Sequence, residues 1–211
     1  MIYALEAIRE IYGDSEKGVR LVLGCGEETG SEDMDYYFSK RETLPYTLSP
    51  DADYPLINIE KGRFAPFFTK NVSPDGNILS INGGSTQNIV PPKANAVICG
   101  IDLETVKKYC AEAEKETQAE INCEKENGNI RIFVTGTAAH AAQPHKGNNA
   151  QTVLLKLLSA LPLKGEAHAS CKQLSELFPH GETDGLSIGV KMSDGKSGEL
   201  TLNFGVLTYK D

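Results

Sequence analysis

The stretch INCEKENGNIRIFVTGTAAH, residues 121–140, decides the architecture of most of this chain. Ile121 and Cys123 on one side, and Ile130, Ile132 and Val134 on the other, alternate with polar residues around Asn127-Gly128. An Asn-Gly pair supplies the two positive-φ positions that a two-residue hairpin turn requires, so the spacing predicts an antiparallel hairpin.

Working outward, the surrounding segments fit the same plan. Upstream, the turn Ser73-Pro74-Asp75-Gly76 precedes NILSINGG and AVICGID, which read as strands, and FAPFFTKNV reads as another short one. Residues 103–119 predict a helix with Leu103, Val106 and Tyr109 inward. Downstream, NNAQTVLLKLLSAL predicts a strongly apolar helix, followed by a second at 170–178. LSIGVKMSDGKSGELTLNFGVLTYK then predicts a hairpin turning near Asp194-Gly195. Residues 61–211 therefore read as an α+β domain, with an antiparallel sheet and helices on one face.

The first sixty residues have another character. IYALEAIREIY places Ile2, Leu5, Ile8 and Ile11 at helical spacing. Val19 to Leu23 is apolar almost throughout, as a strand covered on both faces should be. Ser31, followed by Glu32 and Asp33, reads as an N-cap with acids in the first turn of a helix over 32–40. YTLSPDADYPLINIEKG adds a strand, a proline-bounded turn and another strand. The expectation for residues 1–60 is an α/β fragment with a parallel sheet, and a domain boundary falls near 60.

Composition narrows the function classes. A net charge of −8 argues against nucleic acid as the main partner. Five cysteines, odd in number and without a C-x-x-C pair, fit free thiols of a reducing compartment. No apolar run approaches the roughly 20 residues of a membrane-spanning helix. A cytoplasmic protein with no membrane partner is expected.

Three segments carry chemistry. In GCGEETGSED, residues 24–33, Glu27 and Glu28 stand side by side after an apolar run. Adjacent carboxylates repel, and a divalent cation would offset that repulsion, one carboxylate ligating it and the other serving as base. SPDADYP, residues 49–55, supplies Asp51 and Asp53 in a proline-stiffened loop, which is equally what an ordinary turn looks like. TGTAAHAAQPHKGNNA, residues 135–150, sets His140 among small residues that leave room for a substrate, whereas His145 reads as a surface residue. STQNIVPPKANA offers Asn88 as an amide hydrogen-bonding group.

Taken in order, GxGEETGS before a helix, PDAxxP, NxVPxxA and GxxAHAxxPxxGxNA resemble the dinuclear zinc peptidase and aminoacylase family that includes carboxypeptidase G2. SPDADYPLINIEKG and GETDGLSIGVKMSDGKSGELTLNFG look like its PepV-type dipeptidase branch. The resemblance implies that residues 1–60 are part of a catalytic domain and 61–211 a lid, or dimerisation-like, domain. It implies Glu27 as the general base acting on a metal-bridging water, and Glu28 and Asp51 as ligands of the two zinc ions. It also implies His140 as the residue that stabilises the oxyanion, and Asn88 as a substrate-holding residue. The implied substrate is a dipeptide or an N-acyl amino acid.

The departures from that pattern are specific. The family's H-x-D stretch and bridging aspartate lie upstream of the glutamate pair, and here the residues before Glu27 contain no histidine. A last histidine ligand and a substrate-anchoring arginine are not identifiable either. With three metal ligands missing, the sequence reads as an internal segment of a dipeptidase, inactive and weak in zinc by itself. Self-association through an exposed sheet edge of 1–60 is expected. The alternatives are a non-catalytic binding or assembly module built on the lid fold, completion by a second polypeptide in trans, or a deacylase or carboxypeptidase of the same family.

Overall fold

The computed structural model describes residues 1–13, 18–27, 30–51 and 57–210. The chain divides into two compact units, residues 1–58 and 59–211.

The second unit is built on a five-stranded sheet, in spatial order β3-β4-β2-β1-β7. Its strands are β1 (Ile78–Gly83), β2 (Lys93–Ile98), β3 (Glu120–Glu126), β4 (Asn129–Thr135) and β7 (Leu207–Lys210). Every pairing is antiparallel, with Ile98 opposite Ile130 and Ala96 opposite Ile132 in the β2–β4 register. Asn127 and Gly128 sit at φ 51° and 83°, the mirror-image turn that matches the twist of the hairpin strands.

One face of the sheet is apolar and covered. Ile81, Ala94, Ala96, Ile98, Ile130, Ile132 and Val134 are all buried. Against them pack α3 (Leu103–Thr117) and α4 (Ala150–Ala160), with α5 (Glu166–Leu177) alongside α4. Asp102 caps α3 through Thr105 N–H, and Asn149 caps α4 through the N–H groups of Gln151 and Thr152. Val153, Leu154, Leu155, Leu157 and Leu158 make α4 the helix buried nearly all round. The opposite sheet face presents Asn82, Phe133 and Thr135 outward. An antiparallel sheet with one covered face is thus the observed architecture.

Three segments differ from expectation. Residues 63–72 run as irregular backbone rather than as a strand. The second hairpin does turn at Asp194-Gly195, but its strands β5 (Ser193–Asp194) and β6 (Gly198–Glu199) are two residues each. Past them the chain leaves the hairpin and returns to the main sheet as β7. The helix placed at 170–178 begins earlier, at Glu166.

The first unit holds two helices, α1 (Ile2–Tyr12) and α2 (Glu32–Lys40). Among its described residues no strand forms, so the parallel sheet and its exposed edge expected there are absent. Residues 19–23 are apolar apart from Arg20, yet a strand exists only through ladder partners, and none of the described residues supplies one. Neither helix has a buried residue.

Candidate functional site

In the second unit, the loop from β1 to β2 (residues 84–92) and the loop from β4 to α4 (residues 136–149) join each other. Val90 N–H donates to the Ala139 carbonyl at 2.8 Å, and Ala141 N–H to the Asn88 carbonyl at 2.8 Å, placing Ile89 opposite His140 in an antiparallel bridge. Asn88 and His140 are therefore brought to one place on the fold. The two prolines between them and β2 have no N–H to satisfy, and their carbonyls do the joining. Pro91 accepts from Ala150 N–H at 2.9 Å and Pro92 from Gly136 N–H at 2.8 Å.

The histidine loop is closed at its neck. Thr137 and Asn148 exchange both backbone hydrogen bonds at 2.9 Å. A side chain at Gly147 would meet the Thr137 carbonyl at 2.8 Å and Val90 Cγ1 at 2.9 Å, so glycine is what allows this approach. Inside the loop His140 is exposed, and Ala142 N–H donates to its Nδ1 at 3.1 Å. With Nδ1 accepting, the proton of the neutral ring resides on Nε2, which becomes a hydrogen-bond donor. Asn88 is half-buried, and His145 is exposed.

A small cavity of about 50 Å³ is lined by Val90, Asn149, Thr152, His180, Glu182 and Asn203 among others, and by neither Asn88 nor His140. Thr152 Oγ1 donates to the Asn149 carbonyl and lies 3.0 Å from His180 Nδ1. Burial first, and the Lys156 ammonium second, push the His180 imidazole below its ordinary value. Sequence reasoning gave no role to Asn149, which falls inside the last of the four motifs, or to His180 and Asn203, which lie outside them.

In the first unit Glu27 and Asp51 are exposed, while Glu28 and Asp53 lie outside the described residues. The acid that organises the GCGEETGSED loop is Asp33. Its carboxylate accepts from Cys25 N–H at 2.6 Å, Gly26 N–H at 3.2 Å and Met34 N–H at 2.9 Å. Those bonds, that from Cys25 foremost, hold Asp33 below the usual carboxylate range. Ser31, expected as the helix cap, makes no side-chain capping bond and sits at φ 58°. The sequence reading gave this role to Ser31; an acid in the first helical turn after a glycine-rich loop is the signal that could have pointed to Asp33.

Among the described residues no three of His, Cys, Asp and Glu converge as a metal site would require. Two exposed carboxylates do not make up the donor set of a zinc centre, which takes at least three protein ligands. The residues described do not fit the two zinc ions that the family resemblance implies, and no chemical step is derived through them.

Comparison with known proteins places this geometry. Residues 123–207, from β3 through the histidine loop to the start of β7, match the family described as peptidase dimerisation domain. Over 99% of its length the chain is 31% identical to the beta-Ala-Xaa dipeptidase of Lactobacillus delbrueckii subsp. lactis, covering 45% of that protein. It is 30% identical, again over 99% of its length, to a Bacillus subtilis (strain 168) protein that carries the name dipeptidase YtjP, covering 46% of it. A Staphylococcus aureus (strain USA300) protein also named as a dipeptidase is 27% identical over 98% of the chain. Residues 123–207 thus match that domain family, and the whole chain is similar to a segment of these dipeptidases. It spans somewhat less than half the length of these relatives. Among the described residues no helix is long and apolar enough to cross a membrane.

Proposed function

We propose that residues 59–211 form the lid of a dipeptidase and present His140 and Asn88 to the substrate. The observation that carries this reading is the Ile89–His140 bridge, which brings the backbones of Asn88 and His140, 52 positions apart in sequence, next to each other. In the proposed role, His140 Nε2–H donates to the oxygen that gains negative charge when the peptide carbonyl is attacked. Asn88 holds the substrate backbone. Glu27 is assigned as general base, and Glu28 and Asp51 as metal ligands, on the family resemblance alone. We also propose that this chain by itself turns over no dipeptide, because its described carboxylates do not assemble a centre.

The test is binding of a dipeptide phosphinate, a mimic of the tetrahedral intermediate, followed by NMR. The expected result is a shift of the His140 imidazole and of the Asn88 side-chain amide, abolished in His140→Gln. Resonances of both residues unmoved at millimolar phosphinate would overturn the reading.

A second reading, assembly, is favoured by the first unit. No described residue of 1–58 is buried, and Ile2, Ile8, Ile11 and Leu23 expose half or more of their surface. Unburied apolar side chains in such number mark a surface awaiting a partner. With a dimerisation domain in the same chain, self-association is the proposed outcome, read by sedimentation equilibrium. A chain that stays monomeric up to about 100 μM, the scale of a weak complex, would overturn it.

A further inference from the structure

The irregular segment between β6 and β7 that carries Asn203 lies against the Asn88 loop more closely than ordinary side chains would permit. A side chain at Gly205 would meet Gln87 Cα at 3.2 Å, and one at Gly84 would run into the Gly205 carbonyl. This close approach lets Asn203 reach the loop backbone. Its Nδ2 lies 3.4 Å from the Gln87 carbonyl and 3.0 Å from the Ile89 carbonyl, the two that flank Asn88.

The orientation of that amide follows from backbone groups. Asn149 Oδ1 is taken by the N–H groups of Gln151, at 3.0 Å, and Thr152, at 3.2 Å. Asn149 Nδ2 must therefore donate, and it does so to Asn203 Oδ1 at 3.3 Å and to the Phe204 carbonyl at 3.0 Å. Asn203 Oδ1 is thus an acceptor, and its Nδ2 is turned toward the two carbonyls, which need donors. A stacked pair, Phe178 and Phe204 at 4.6 Å, fixes the neighbouring backbone.

We propose that Asn203 is a positioning residue for the site. Anchored by the cap of α4, it holds the carbonyls on both sides of Asn88 and, through the Ile89–His140 bridge, the loop that sets the His140 imidazole. The inference rests on the reading of Asn88 and His140 as substrate-facing groups. The cap of α4, the irregular segment leading into β7 and the site loop then form one hydrogen-bonded unit, so the N-terminus of α4 determines where the two residues stand.

The test uses Asn203→Asp, which keeps the size and the acceptor facing Asn149 but loses the donor facing the two carbonyls. Amide exchange and the nitrogen shifts of the His140 ring are measured by NMR on the full chain. The Val90 and Ala141 amides are expected to exchange about tenfold faster, the scale of one or two net hydrogen bonds, relative to Ala96 in β2. The His140 ring is expected to move from the Nε2–H form to a mixture of tautomers. Asn149→Asp keeps the helix cap while removing the donor to Asn203; it should shift both readouts in the same direction by less, and it serves if Asn203→Asp does not fold. Leu174→Ala, a purely packing change in α5, should leave the His140 tautomer unmoved.

Unchanged exchange at Val90 and Ala141 with an unchanged tautomer would overturn the proposal. So would an equal change in Leu174→Ala, which would make the effect one of stability alone. The phosphinate experiment on the unmutated chain separates the two failures: an unresponsive His140 there defeats the substrate reading, whereas a responsive one with insensitive variants defeats only the role of Asn203.

Discussion

Ile89 and His140 face one another across a two-bond antiparallel bridge, closed by Val90 N–H on Ala139 and Ala141 N–H on Asn88, both at 2.8 Å. This relationship turns two loop motifs into one site. Neither loop has a hydrophobic stripe of its own to fix it, so its position is set by backbone hydrogen bonds and by glycines that admit close approach. A site held in this way depends on backbone geometry more than on side-chain packing.

That dependence is sharpest at Gly84. It sits at φ 71°, and an added Cβ would collide with the Gly205 carbonyl, whereas Gly128 sits at φ 83° with nothing within 4 Å. Gly128→Ala bears only the left-handed strain, about 1–2 kcal/mol. Gly84→Ala bears the same strain and must also push the Asn203 segment away, so its urea midpoint is expected to fall further than that of Gly128→Ala. Equal midpoints would mean that the 84–205 contact yields freely.

Gln151 is fully buried at the start of α4, and neither amide atom has a hydrogen-bond partner among the described residues. The side chain fits only because position 83 is glycine: a Cβ there would meet Gln151 Oε1 at 2.5 Å. An unpartnered buried amide costs about 1–3 kcal/mol, and leucine fills a similar volume without that cost. Gln151→Leu is expected to raise stability by that order in urea unfolding. A loss of stability instead would show that the amide is satisfied in solution, for example by an enclosed water.

How much of this was legible in the sequence divides along physical lines. The Asn127-Gly128 turn and the apolar run of α4 are local signals, and each corresponds to an observed element, whereas the caps at Asp102 and Asn149 were not read and the one that was, Ser31, makes no capping bond. The 19–23 run shows the opposite case. Its composition suits a buried strand, but strand formation depends on partners elsewhere, and among the described residues they are missing. Asn203 was illegible for the same reason, since it bonds to residues 114 and 116 positions away, beyond any local pattern. His140 and Asn88 stood out by motif, yet their adjacency is a property of the fold.

His180 gives the second unit a pH dependence of known sign. Burial and Lys156 hold its folded-state pKa below the ordinary 6.5. Above that value both states are neutral and the residue contributes nothing to the pH dependence. As pH falls through 6.5 the unfolded chain takes up a proton that the folded chain refuses, so stability declines until the folded pKa is passed. The urea midpoint is expected to drop between about pH 7.5 and about pH 5.5, and to drop less in His180→Gln. Identical slopes for the two proteins would rule out His180 as the source.

The two units should respond differently to truncation of apolar side chains. Leu154 is fully buried in α4, where it packs within the core cluster under the sheet. Leu154→Ala removes that burial and leaves a cavity, an expected loss of about 2–5 kcal/mol. Ile11 in α1 is 72% exposed, and no residue of its helix is buried. At protein concentrations too low for self-association there is nothing to unpack, and Ile11→Ser should change stability by no more than about 0.5 kcal/mol, as surface substitutions do. Unfolding followed by far-ultraviolet circular dichroism distinguishes the two. A loss at Ile11 comparable to that at Leu154 would mean that α1 is covered in solution, and repeating the measurement at several protein concentrations identifies the cover. A cost that grows with concentration assigns it to a second copy of this chain, and a cost independent of concentration assigns it to packing within one chain.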